Sequence, residues 1–180
     1  MNDTITDNDL VIRAQGGEQA AIRALYDRHH EKIFRYIIAR VSDPPLAEDL
    51  TGEVFARMVA HLPRFRRRGV PFRAWLYRIA RNLVIDYYRK RDRWTLVGLE
   101  HAAAVSQAEQ NPVALVERGL EWERVRRALD TLTSAQRDVV VLRFVVDLPL
   151  QEVAMIVGKT VSAVKALQHR GLVALREALE

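Results

Sequence analysis

The sequence predicts an all-α protein of two small helical domains joined by a flexible linker, the second containing a helix-turn-helix. Three observations carry that prediction. Apolar residues recur at three-and-four spacing wherever the chain is free of turn residues, and no stretch alternates with the period of two that a strand needs. Residues Trp94 to about Val113 lack Lys and Arg, lose sustained periodicity and end in Asn111-Pro112, the signature of a linker. From about Ala114 helical spacing returns through Leu115, Leu120, Trp122, Val125 and Leu129, so the chain divides at 1–93, 94–113 and 114–180.

The elements follow in order. Asp7 or Asp9 is placed to cap a short helix through Leu10, Val11 and Ile12, which Gly16-Gly17 stops. From Glu18 to Val41 a second helix has Ala21, Ile22, Leu25, Tyr26, Ile33, Phe34, Ile37 and Ile38 at helical spacing. Its adjacent His29 and His30 point in different directions and cannot share a metal as an i, i+4 pair would, so no metal site is expected. Ser42-Asp43-Pro44-Pro45 breaks the chain, and Leu46 to Leu62 resumes it with a stripe of Leu46, Leu50, Val54, Met58 and Leu62. Glu48, Asp49 and Glu53 lie opposite that stripe. Acids in a first turn are ordinary helix-dipole partners. They leave unexplained Phe55, off the stripe and expected to be exposed, and Gly52, which costs about 1 kcal/mol mid-helix. A partner's helix lying across this surface accounts for both.

Pro71 to Arg91 reads as a long helix with Phe72, Trp75, Leu76, Ile79, Ala80, Leu83, Val84 and Tyr87 inward, and Pro71 suits its first position. Between Arg64 and Arg93 stand eleven Arg and Lys against two Asp, more than the net +5 of the whole chain. Such a run is often only a solvated face. Here it is interleaved with Phe65, Phe72, Trp75, Tyr77, Tyr87 and Tyr88. Guanidiniums neutralise phosphates and flat rings stack on bases, so the mixture suits nucleic acid whose strands are opening. Asn82, Asp86 and Arg89, at i, i+4 and i+7, share a second face beside the basic one.

In the last third, Thr133 or Ser134 caps a helix from Ala135 to Val146, Asp147-Leu148-Pro149 turns, Leu150 to Val157 is a short helix, and Gly158-Lys159-Thr160 leads into Val161 to Leu179. A helix-turn-helix needs a small residue at the helix crossing, a glycine able to take positive φ in the turn, and a buried aliphatic early in the second helix. Ala154, Gly158 and Val164 meet those needs. With Val164 inward, Leu167, Gly171 and Leu175 also turn in, while Ser162, Lys165, Ala166, His169 and Arg170 turn outward or to the flanks. Early outward residues of such a helix read base edges in the major groove and later basic ones hold phosphate.

Composition narrows the classes of function. At 20.7 kDa and 49% hydrophobic the chain can bury a core, and a pI near 9.9 favours a polyanionic partner. The absence of cysteine excludes disulfides, thiol catalysis and Cys-based zinc sites. No nucleophile motif, metal-ligand spacing or phosphate-cradling glycine loop is present, so neither an enzyme nor a cofactor is expected. The polar, acidic start MNDTITDNDL lacks the basic stretch and apolar run of a leader peptide, so a cytoplasmic location is expected.

AEDLTGEVFARM (Ala47 to Met58), then FRAWLYRIARNLVIDYYRKR, then the segment from Leu132 to Arg176 resemble the extracytoplasmic-function (ECF) class of bacterial sigma factors over nearly the whole chain. The resemblance implies that Asp49, Glu53 and Phe55 contact the clamp helices of the largest catalytic subunit of core RNA polymerase, with Gly52 where that family usually has Gln. It implies −10 promoter contacts for the loop (Arg64, Arg66, Arg67, Arg68) and for Asn82, Asp86 and Arg89. The final helix is similar to the family's −35 reader, which assigns Ser162, Lys165, Ala166, His169 and Arg170 to promoter DNA. Leu167 and Leu172 replace arginines usual there, so the −35 sequence preferred by relatives does not transfer. An anti-sigma protein becomes a candidate partner. The competing possibility is a stand-alone helix-turn-helix regulator binding an operator as a dimer, for which no long apolar dimerisation seam is evident.

Overall fold

A computed structural model of the protein describes residues 5–96 and 114–180, with side chains for all of these except 114–121. Eight α-helices are formed in the described residues. Helix α1 (Asp7–Gln15) starts one residue earlier than its sequence suggests. Thr6 is the cap, its Oγ accepting from the Asp9 amide, while the Asp9 carboxylate reaches back to the Thr6 amide at 2.9 Å. Helix α2 (Gln19–Val41) ends on Ser42 in the left-handed conformation. Helix α3 (Pro44–His61) begins where a break was expected. Asp43 caps it by accepting from the Leu46 amide, and Pro44 and Pro45 occupy a first turn whose N–H groups have no helical partner to lose.

Helix α4 (Phe72–Leu96) follows the basic loop, with Pro71 just outside it and the Pro71 carbonyl accepting from the Trp75 amide. It runs through Trp94, where the linker was expected to begin, as far as Leu96. The remainder of the expected linker, 97–113, lies outside the described residues, as do the side chains of Leu115 and Leu120. Helix α5 (Ala114–Asp130) opens the second domain. Helix α6 (Ser134–Val140) carries a Thr133–Gln136 capping box and widens into one π-helical stretch, Val141–Val145. Asp147 turns the chain at φ 55°. Helix α7 (Leu150–Val157) ends on Gly158 at φ 68°, and Thr160 caps α8 (Val161–Leu179) by accepting from the Ala163 amide at 3.1 Å.

Helices α2, α3 and α4 enclose the first core around Leu25, Ile33, Ile37, Val54, Met58, Phe72, Leu76 and Val84, and α1 lies across α2 through Leu10, Val11 and Ala14. The second core is aliphatic: Leu129, Val139, Leu142, Val153, Ile156 and Val164. Trp122 and Val125, which shared the predicted stripe of α5, are exposed. The two domains touch, α7 packing on α4 and the π-helical stretch on α2. That contact explains a departure from the predicted stripe of α4: Tyr77 is buried, whereas Trp75, Ile79 and Tyr87 are only half-buried. The helix is covered on two flanks, so a single-stripe reading rotates the inward direction away from the second domain.

Candidate nucleic-acid interface

The basic loop is held at its root and free at its tip. Gln15 of α1 donates to the carbonyls of Leu62 and Phe65, both at 2.9 Å, and the Phe65 ring inserts between Phe72 and Trp75 with centroids 5.9 and 4.7 Å away. Phe65 therefore anchors the loop instead of offering a free stacking surface. Beyond it Arg64, Arg66, Arg67 and Arg68 are exposed, and Gly69 takes φ 72° to turn the chain back. Arg66 also donates to the Pro63 carbonyl, 3.0 Å away. The docking of α1 that supports this root depends on Asp7, which pairs with Arg28 and with the buried His29 at 2.8 and 2.9 Å. Burial alone raises the Asp7 carboxyl, but the hydrogen bonds from His29 and Arg28 outweigh it and hold the group below its ordinary 3.8.

On α4, Asn82, Asp86 and Arg89 are all exposed and share one face of the helix. The neighbouring flank of the same helix is not free. Arg73, Arg78 and Arg81 reach into the second domain, to Glu152, the Met155 carbonyl and Asp138. Asp138, 1% exposed, also accepts from the Tyr36 hydroxyl at 2.9 Å and has Arg40 Nε 3.0 Å away. Burial, then the adjacent Asp138 charge, push the Tyr36 hydroxyl well above its ordinary value. The sequence did hold a signal for this cluster. Asp138 stands at i−3 and i−4 from Val141 and Leu142 on an inward helix face, where a lone carboxylate demands partners.

Helix α3 brings Asp49, Gly52 and Glu53 to the surface, with Glu53 accepting from Arg57 at 2.7 Å. Phe55 is not with them. Its ring is 5% exposed and packs edge-on against Tyr26 (4.7 Å) and over His30 (5.9 Å). The expectation of an exposed ring fails because 3.6 residues per turn carry Phe55, one residue after Val54, onto the flank that α2 covers. Gly52 has open space where a Cβ would stand, so packing inside the chain does not require glycine there.

In the second domain Ser162, Lys165, Ala166, His169 and Arg170 are exposed together along α8, and Val164 is fully buried beneath them. Two supports were not foreseen. Arg143 donates to the Leu148 carbonyl in the turn and to Gln168 Oε1 on α8 at 3.1 Å, tying the helix to its own connection. Gly171 lies so close to α6 that a Cβ would stand 2.8 Å from Val140 Cγ2. The seating depth of α8 thus depends on glycine.

The arrangement offers two separate cationic surfaces, one of loop and helix, the other of helix-turn-helix type. Residues 25–94 match Sigma-70 region 2 and residues 128–177 match Sigma-70, region 4. The chain is 38% identical over 165 residues to the ECF RNA polymerase sigma factor BldN of Streptomyces coelicolor, covering 91% of this chain and 62% of that protein. It therefore spans a little under two thirds of that relative's length. Over 172 residues it is 33% identical to the ECF RNA polymerase sigma factor SigD of Mycobacterium tuberculosis, covering 93% of this chain and 81% of that one. The solved structure of CnrH in complex with the cytosolic domain of CnrY superposes with a TM-score of 0.75 at 25% identity over 96% of each chain. Two Sigma-70 regions in the right order, on an all-helical scaffold shared with CnrH, place the chain in the family of ECF RNA polymerase sigma factors.

Proposed function

We propose that this protein binds core RNA polymerase and directs it to promoters with −35 and −10 elements. The observation that carries this is the exposure of two nucleic-acid-type surfaces on separate domains, each in the region that matches a Sigma-70 family. The loop arginines Arg64, Arg66, Arg67 and Arg68 hold backbone of the opened −10 strand, and Asn82, Asp86 and Arg89 form the base-reading face beside them. Helix α8 enters the major groove of the −35 element with Ser162, Lys165 and Ala166 leading and His169 and Arg170 on phosphate. Asp49 and Glu53 contact polymerase directly. Phe55 supports that surface from beneath, since its ring is buried against Tyr26 and His30. A first domain of residues 1–93, whose last helix runs on to Leu96, and a second of residues 114–180 flank the linker, the protein acts in the cytoplasm, and it performs no catalysis of its own. CnrH is seen in complex with the cytosolic domain of CnrY, and an anti-sigma protein is a further candidate partner of this chain.

Run-off transcription with core polymerase tests the assignment. Promoter-specific transcripts should depend on this protein, and it should shift promoter DNA only with core polymerase present. A tight shift by the protein alone, without support of transcription, would favour an operator-binding regulator.

A further inference from the structure

A recess between α2, α4, α5 and α6 holds more positive charge than its own acids answer. Its volume is about 610 Å³, within the range of small-ligand sites. Arg40, 2% exposed, and Arg137, with 13% of its side chain exposed, lie deepest in it. Arg89, Arg91 and Arg126 stand around the mouth, and the carboxylates of Asp92 and Asp130 are the only acids in the lining among the described residues. Two donors at the floor, Arg40 Nε and Arg137 Nε, are buried with no acceptor among the described residues. Arg40 Nε is 3.0 Å from Asp138 Oδ1 but misaligned for a hydrogen bond, and that carboxylate is already shared with Tyr36 and Arg81. Arg137 meets Asp130 only through Nη1, 3.0 Å away. Burial outweighs that acid and, with the Arg40 charge, pulls the Arg137 guanidinium below its ordinary value.

Buried orphan donors are uncommon, and each calls for a partner. A guanidinium does not shed its proton at ordinary pH, so the deficit here is answered by an anion. The surroundings select which kind. Ser134 Oγ accepts from Arg40 Nη2 at 3.1 Å, which leaves its own hydroxyl hydrogen to donate. Tyr88 donates to the Arg40 carbonyl at 2.6 Å, so one carbonyl at the electronegative end of α2 is already satisfied. A terminal phosphate offers three free oxygens to such a floor. A phosphodiester within a strand carries a single charge and is flanked by sugars on both sides, which suits an open groove better than a recess. The excess of guanidiniums over carboxylates calls for a chain of phosphates rather than one.

We propose that this recess binds the polyphosphate chain of a small phosphorylated metabolite. Its terminal phosphate lies at the floor against Arg40, Arg137 and Ser134, and its remaining phosphates lie among Arg89, Arg91 and Arg126. The site is independent of the promoter-binding roles proposed above except at Arg89, which borders both.

Calorimetric titration of the full chain tests it, at one fixed ionic strength and with a chelator so that no divalent cation competes. The probes are tripolyphosphate, ATP, and a single-stranded oligodeoxynucleotide with a hydroxyl at both ends. Tripolyphosphate and ATP should each bind one per chain, the tighter of the two telling whether the phosphates are recognised alone or as part of a nucleotide. Arg137→Gln should weaken both by about tenfold or more, the worth of a charge-assisted hydrogen bond. Lys90→Gln removes the same charge from α4 outside the recess and should change affinity less than about twofold. Equal losses in the two variants would reduce the binding to diffuse attraction and overturn the site, as would the absence of stoichiometric binding by either phosphate probe. An oligodeoxynucleotide that loses as much affinity in Arg137→Gln as tripolyphosphate does would make the floor part of a DNA path, which also overturns it. Should Arg137→Gln fail to fold by circular dichroism, Arg126→Gln at the mouth decides. It should weaken tripolyphosphate by about threefold or more and leave the oligodeoxynucleotide within about twofold. Affinity for tripolyphosphate equal to that of Lys90→Gln would overturn the site there too.

Discussion

The two domains solve the same problem, a small helical core beside a cationic surface, with different materials. The first buries Tyr36, Tyr77, Phe72 and Phe55 and keeps further rings half-buried near its basic loop. The second is packed with Val, Leu, Ile and Ala, and its one phenylalanine, Phe144, is exposed. Rings bury more area per residue, so the first domain keeps a core while much of α4 and its loop remain polar. The second depends on close backbone approach at Gly171 and on turn geometry at Gly158. It also buries a carboxylate, Asp138, whose partners Tyr36, Arg40 and Arg81 all belong to the first domain. Stability and exposure of function are therefore separable in the first domain and coupled in the second.

The largest effect that could break this comparison is at Phe55. Phe55→Ala should destabilise the first domain by about 3 to 5 kcal/mol, as truncation of a buried ring does. Asp49→Ala with Glu53→Ala should leave its melting within about 0.5 kcal/mol of wild type while weakening polymerase binding. Chemical denaturation together with a core-polymerase pull-down reads both. Equal polymerase loss with unchanged stability in Phe55→Ala would return the ring to the contact surface.

Gly171→Ala sharpens the claim that the second domain depends on close approach. Overpacking costs about 1 to 3 kcal/mol and the better helix propensity returns up to about 1, so a net loss near 1 kcal/mol is expected. Val140→Ala in the same chain should recover part of it, because it removes the methyl that meets the new Cβ. Additive losses in the double variant would show that Val140 is not the obstacle.

On the surface of α8 the expected effects are comparable or smaller and differ in kind. Lys165→Ala should flatten preference at one −35 base pair, worth about 1 to 3 kcal/mol of discrimination. Arg170→Ala should weaken every sequence alike and lower the salt slope by about one. A −35 library measured at two salt concentrations separates them, and a Lys165→Ala profile that keeps its shape would make lysine a phosphate anchor.

The mildest test concerns acid. The Asp7 carboxyl is held below its ordinary 3.8, so its stabilisation of α1 docking is fully present above that value and disappears as pH falls through the lower, folded-state one. Asp7→Asn should remove that dependence. Amide exchange in α1, followed below pH 4, should then show no added acid opening in the variant.

Much of this molecule was legible locally. The bounds of α7 and α8, the positive-φ Gly158, the Thr160 cap and the buried Val164 follow from interactions within a few residues, which any chain of this sequence meets wherever it lies. The outward set on α8 and the exposed Asn82, Asp86 and Arg89 follow equally from helical period. What only the tertiary structure decided is which flank of each helix another element covers. Phe55 is inside because α2 reaches it, Tyr77 because α4 is covered twice, and Phe65 is half-buried because Phe72 and Trp75 form a slot for it. Arg73, Arg78 and Arg81 were counted in the basic run and Arg40 gave no signal of its own, yet all four find partners 57 to 98 positions away in sequence. Periodicity gives a direction around one helix axis and carries no information about a neighbour that distant. An arginine on a flank is free or bound according to where a second domain comes to rest.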